Sequence, residues 1–348
     1  MSDIPGSIED VDAEWLASCT GLSVSSVEVE QIGVGIGVSS AVYRLRLRGE
    51  GVPETLVLKL RALDEAAVFT SSVLRMYERE VKFFDELATQ SPIRVPRGFH
   101  GAVSDDGATY ALVMEDMGGH RQVDQNEGMT LADAERSVDE LAAYHATFWR
   151  RAQPYVDSGA ALSLRDEIYP AVLPMAFAEG WEKLQAGMDI TPAIGAVAPR
   201  WTEEMPSMLN RLCTEPTTVI HGDYRADNIF FDEDGGVVLL DFQLTGMGSG
   251  SSDLAYFVAQ SLDAEVASTA ERDLFDRYVD GLRTAGVAAE DTERLWDDYR
   301  LAALFCLVYP VVASRGMDLG DPRQFELLDK LNTRFARALE ELALAELL

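Results

Sequence analysis

Apolar and polar residues alternate over 24–34 and 40–48, with the two-residue period of half-buried strands, and 55–60 reads as a third strand. Phe99 to Val103 and Tyr110 to Met114 read as a fourth and fifth strand, joined by the turn Asp105-Asp106-Gly107. Between them, Ser72 to Ala88 puts Val73, Met76, Val81, Phe84 and Leu87 on one helical face. Ile8 to Cys19 has the spacing of a short amphipathic helix that stops near Gly21. From Leu131 the period changes to that of helices. Leu131 to Trp149 is one. Several helical segments between Pro154 and Arg211 are expected to be interrupted by Pro170, Pro174, Pro192, Pro199 and Pro206. A short strand pair follows near 229–240, then helices around 252–262, 267–285, 291–314 and 322–347. Strands first and helices afterwards predict an α+β fold of two segregated lobes, 1–116 strand-rich and 117–348 helical.

Composition narrows the choice of partner. The chain has 348 residues and a formal net charge of −30. That charge excludes a nucleic-acid partner, whose phosphates demand Lys and Arg, and an anionic membrane surface. It reads first as a solubility feature, and it leaves room for a cationic substrate in an acidic cleft. Lys occurs only at positions 59, 82, 183 and 330. Cys19, Cys213 and Cys306 are scattered, so neither a disulfide framework nor a zinc site is expected. The acidic start does not resemble a signal peptide, and the apolar run from Leu301 to Ala313 is too short to span a bilayer. These features point to a cytoplasmic protein.

The chemistry is concentrated in His221-Gly222-Asp223-Tyr224-Arg225-Ala226-Asp227-Asn228 and in Leu240-Asp241-Phe242-Gln243. Phosphoryl transfer of the kinase type uses an Asp that receives the proton of the attacking hydroxyl. An Asn five positions later and an Asp after the next strand hold Mg²⁺. Asp223, Asn228 and Asp241 have that spacing. Arg225 is placed to neutralise charge on the transferred group, or else to pair with Asp227. His221 and Asp253 are expected to be structural, and His145 a core histidine.

Upstream, Gly33, Gly35 and Gly37, with Ser39 and Ser40, lie between two strands, so they suit a hairpin flap over phosphates. A dinucleotide-binding turn would instead open a helix. Lys59, flanked by leucines on the third strand, needs a partner if buried. Glu80 is the first candidate and Glu78 the second. Glu115, Asp116 and Met117 form a connector whose backbone could meet an adenine edge.

Together these motifs resemble the aminoglycoside phosphotransferase and choline-kinase-like superfamily, a branch of the protein-kinase-like fold. His-Gly-Asp separates it from protein kinases, and Asp-Phe-Gln resembles its ecdysteroid-kinase-like subgroup. The resemblance implies ATP and Mg²⁺ as cofactors and a hydroxylated small molecule as acceptor. It also implies Asp223 as base, Asn228 and Asp241 as metal ligands, and Lys59 with Glu80 as phosphate grip. A monomer or homodimer is expected. Two alternatives stay open: an inactive kinase-like regulatory protein, and a dedicated aminoglycoside-resistance enzyme.

Overall fold

Asp12 accepts the Trp15 N–H at 2.8 Å and starts the first helix, α1 (Ala13–Thr20), which Gly21 ends in the left-handed conformation. The computed structural model describes residues 4–33 and 39–348. After α1 come strands β1 (Val24–Ile32), β2 (Ser40–Gly49) and β3 (Thr55–Arg61), helices α2 (Glu65–Val73) and α3 (Met76–Lys82), and strands β4 (Gly98–Val103) and β5 (Tyr110–Glu115). The five strands make one antiparallel sheet of order β1-β2-β3-β5-β4. Alternation along β3 sends Leu56, Leu58 and Leu60 to the face that Trp15 and Leu16 of α1 cover. Val57 faces the other way, into a cluster with Tyr77 and Val81 of α3. Lys59 shares the face of Val57, which aims it at α3.

One helix was expected over Ser72 to Ala88. Instead Arg75 turns left-handed (φ 54°) and divides α2 from α3, and α3 runs on into a π-turn at Phe83–Leu87 and a 3-10 turn at Ala88–Gln90. Helix α2 has no clear apolar stripe, because Val68 is buried while Phe69 is 67% exposed.

The remainder is β6 (Arg121–Gln122), α4 (Leu131–Thr147), α5 (Gln153–Ser158), β7 (Leu162–Ser163), α6 (Ile168–Gly187), α7 (Pro192–Leu212), β8 (Thr218–Ile220), β9 (Ile229–Phe231), β10 (Val237–Leu239), β11 (Gly246–Gly248), α8 (Ser251–Ser261), α9 (Ala264–Thr284), α10 (Ala289–Thr292), α11 (Leu295–Phe305), α12 (Val308–Ser314) and α13 (Pro322–Glu341). The helices enclose the largest apolar core. Two small sheets, β10-β9-β6 and β7-β11-β8, carry the segments of chemical interest.

The prolines do not interrupt the middle helices as expected. Pro192 and Pro170 lie in first turns, where the missing N–H has no partner to lose. Pro174, Pro199 and Pro206 lie inside α6 and α7. The buried stripe of α7, which includes Ile194, Val197, Trp201, Met205, Met208 and Leu212, outweighs the bonds they remove. The last helices are also shorter than expected, since 291–314 divides into α10, α11 and α12. Among the described residues, no helix is long and apolar enough to cross a membrane.

Candidate active site

Lys59 is 6% exposed and Glu80, on α3, 1%. Lys59 Nζ donates to Glu80 Oε1 at 2.5 Å and to Asp241 Oδ1 at 3.3 Å. Glu78 takes the other side of the helix and pairs with Arg75 and Lys82. Burial pushes the Lys59 ammonium down, and Asp241 and Glu80 more than reverse it, so Lys59 stays charged. Burial likewise pushes the Asp241 carboxyl up, but Lys59, with His221 and Arg225, holds it below its usual range. Asp241 has φ +66°, a left-handed backbone that costs a non-glycine residue about 1 kcal/mol or more. Phe242 anchors this strained point, because its ring stacks on Phe83 of the π-turn at 3.5 Å.

The catalytic-type loop follows β8. Gly222 has φ +82°, and a Cβ there would lie 2.2 Å from the Leu244 carbonyl oxygen. Any side chain at position 222 would force the two segments apart. Asp253, at the start of α8, accepts the N–H of His221 at 2.6 Å and of Gly222 at 2.8 Å. It also accepts from His145 Nε2 at 3.1 Å, and Tyr278 OH meets the other nitrogen of that ring at 2.8 Å. His221 Nε2 donates to the Leu240 carbonyl at 3.0 Å, while Nδ1 accepts the Asp223 N–H at 3.2 Å. The Leu240 N–H donates to the Asn228 carbonyl at 2.9 Å, which sets Asp241 beside the loop.

Three donors meet the Asp223 carboxylate. Tyr256 OH reaches Oδ1 at 2.6 Å, Arg225 Nε reaches Oδ1 at 3.0 Å, and Asn228 Nδ2 reaches Oδ2 at 2.8 Å. Burial and then the Asp223 charge push the Tyr256 hydroxyl well above its usual range, so it remains a donor. Arg225 also binds Asp227 and Gln125, each at 2.7 Å. The motif spacing gave no sign of Tyr256 as a neighbour of Asp223 or of Gln125 as a partner of Arg225. They come from α8 and from the segment after β6.

The other expected residues divide. Gly33 has φ +67° at the end of β1. Gly35 and Gly37 lie outside the described residues. Ser39 and Ser40 bond to Gln243. In the connector, Asp116 pairs with Arg44 at 2.6 Å and Glu115 with Arg94 at 2.7 Å, while Met117 is buried. Those side chains are engaged, so only connector backbone could meet a base.

Among the described residues, no group of three or more His, Cys, Asp or Glu forms a metal cage. The donor set is instead the Asp241 carboxylate and the Asn228 amide oxygen, whose NH₂ is spent on Asp223. Hard oxygens in small number fit Mg²⁺, which is usually completed by phosphates and water.

A strand-rich sheet over a helical body, with a charged Lys–Glu–Asp chain between them, defines a kinase-type phosphotransferase. The chain belongs to the phosphotransferase enzyme family, whose model matches residues 30–300. It is thus an enzyme of the small-molecule kinase class. Similar solved structures include the amicoumacin kinase hAmiN with AMP-PNP, Ca²⁺ and Ami (15% identity, 92% of this chain and 91% of that one, TM-score 0.58). Choline kinase of Cryptosporidium parvum Iowa II is another (10% identity, 98% and 92%, TM-score 0.56). A third is the GDP complex of aminoglycoside 2′-phosphotransferase-IIIa (13% identity, 92% and 96%, TM-score 0.53). No curated protein matches the chain significantly by sequence.

Proposed function

We propose that this enzyme moves the γ-phosphoryl of ATP, with Mg²⁺, to a hydroxyl of a small molecule. The observation that carries the reading is one unbroken line of contacts. It runs from Glu80 through Lys59 to Asp241, and across the Leu240–Asn228 bond to Asp223. Residues 1–116 would hold the nucleotide, and 117–348 the base and acceptor. Lys59 would grip the α- and β-phosphates, with the connector backbone at Glu115 to Met117 against adenine. Asn228 and Asp241 would hold Mg²⁺, which when bound would offset the charge of the phosphates. Asp223 orients the acceptor hydroxyl and takes its proton as the new O–P bond forms and the bond to ADP breaks. Its three donors fix the direction of the carboxylate, which suits a loose transition state where orientation matters more than prior deprotonation. Arg225, next to Asp223, would offset charge on the transferred group.

The Asp-Phe-Gln form supports the ecdysteroid-kinase-like subgroup. An acceptor with an apolar body is supported by rings that succeed one another from Tyr256 to Tyr309 (4.1 Å), Phe305 (6.2 Å), Trp201 (5.5 Å) and Phe177 (4.5 Å). Asp227 and Asp124, which could attract a polycation, are paired with Arg225 and Arg323. Cys213 and Cys306 are buried and in no disulfide, in keeping with a cytoplasmic location.

The test is a screen of hydroxylated steroids, aromatic alcohols and aminoglycosides for label transferred from γ-labelled ATP. Transfer should require Mg²⁺ and stop on chelation. Asp223→Asn should lower it by about 10²–10⁴-fold, with AMP-PNP affinity little changed. Normal turnover by that variant would overturn the assignment of the base.

A further inference from the structure

The residue after Asp241-Phe242 is glycine in the protein-kinase pattern and Gln243 here. Glycine makes no side-chain contact, so a buried glutamine at this place needs an account of its own. Gln243 is 2% exposed. Its Oε1 accepts the Ser39 hydroxyl at 2.5 Å. Its Nε2 donates to Ser40 Oγ at 2.6 Å and to Tyr110 OH at 3.1 Å. Both amide hydrogens and one carbonyl lone pair are thereby used.

The partners matter more than their number. Ser39 and Ser40 stand at the start of β2, where it joins the sheet beside β3. Tyr77 of α3 donates to the Ser39 carbonyl at 2.8 Å and stacks on Tyr110 at 4.1 Å. The Tyr110 hydroxyl in turn reaches Glu80 Oε2 at 3.4 Å. One amide therefore joins the start of β2 and, through Tyr110, β5 and α3 to a segment whose Asp241 is held in a strained backbone conformation. Such strain persists only where the surroundings over-determine it. An apolar side chain of the same length would fill the space without the desolvation cost of an amide. What the glutamine adds is direction.

We propose that Gln243 is a positioning residue: it latches Ser39 and Ser40, at the start of β2, to the Asp241 segment, so that the sheet carrying Lys59 and the Asp241 carboxylate keep one fixed arrangement around a bound nucleotide. This rests on the nucleotide reading above. Lys59 would meet the phosphates from the sheet and Asp241 would meet them through Mg²⁺, so cutting the latch weakens their joint grip.

The test uses the full chain, Mg²⁺ and AMP-PNP, followed by calorimetric titration. Gln243→Met and Ser39→Ala should each weaken binding roughly five- to tenfold, the loss of a hydrogen bond or two. The double variant should be no weaker than the weaker single one, because both cut the same link. Trypsin should cleave the variants faster near Arg44 when Mg²⁺ and AMP-PNP are present. If affinities match wild type while the melting temperature falls, Gln243 only packs and the latch is wrong. Additive losses would overturn it too. Absence of Mg²⁺-dependent binding by wild type would instead remove the nucleotide reading beneath it. Ser39→Ala leaves the core intact, so the result stands even if Gln243→Met folds poorly.

Discussion

At the scale of single residues, the carboxylates of the candidate site are governed by neighbours that the chain brings from a distance. Tyr256 holds Asp223 from α8, 33 residues away. Tyr256→Phe should lower kcat about tenfold, the loss of one hydrogen bond to a charged group, and leave KM for ATP unchanged. An equal loss in kcat and a rise in KM would mean that Tyr256 binds substrate instead. Lys59 and Glu80 form a buried pair, so Lys59→Met should cost about 3–5 kcal/mol by stranding the carboxylate. Adding Glu80→Gln should restore most of the melting temperature without restoring activity. The triplet Asp223, Asn228 and Asp241 was legible because its spacing lies within 19 residues of chain. Lys59 was legible because a lone cation among leucines must be paid for. Tyr256, Gln125 and the left-handed Asp241 were not, since sequence spacing carries no trace of contacts made through folding.

At the scale of elements, the five-stranded sheet was legible from alternation in β1 and β2 and from short runs bounded by turns in the others, and four features were not. Helix α2 carries an exposed Phe69 that blurs its stripe. Helices α6 and α7 run through interior prolines, because burial along a long stripe outweighs local propensity. The short strands β7, β8 and β11 have two or three residues each, too few for a period to show. Gly246 to Gly248, a stretch with no strand pattern of its own, forms β11, paired to β8 on one side and β7 on the other. Close contact between elements also rests on single glycines. A Cβ on Gly180 would lie 2.0 Å from the Val311 carbonyl oxygen, so α6 and α12 touch only because that Cβ is absent. Gly180→Ala should lower stability by about 1–3 kcal/mol, measured by denaturant titration. An unchanged midpoint would show that the helices part without cost.

At the scale of the whole molecule, 59 acidic residues oppose 29 basic ones. Such an excess destabilises the folded state through self-repulsion. Raising salt from about 10 to about 150 mM shortens the screening length from about 30 to about 8 Å. The melting temperature should therefore rise, by a few degrees, in a scanning experiment. A fall would mean that local Arg–carboxylate pairs outweigh the net charge. The division into strand-rich and helix-rich parts was legible as a change of period along the chain. The packing of one part on the other was not. It depends on contacts such as Arg79 Nη1 to the Thr245 carbonyl at 3.0 Å, which join residues 166 positions apart.

Asp253 suspends the catalytic loop from α8, and His145 and Tyr278 tie it onward to α4 and α9. Among the described residues, none of the bonds that shape the loop comes from α6 or α7. On the reading proposed above, the reaction hardware would thus be mounted apart from α6 and α7, where the acceptor wall would lie. A lineage could refit the wall for a new alcohol without ever passing through a dead ancestor. An engineer grafting α6 and α7 from another member of the family would be exploiting the same independence.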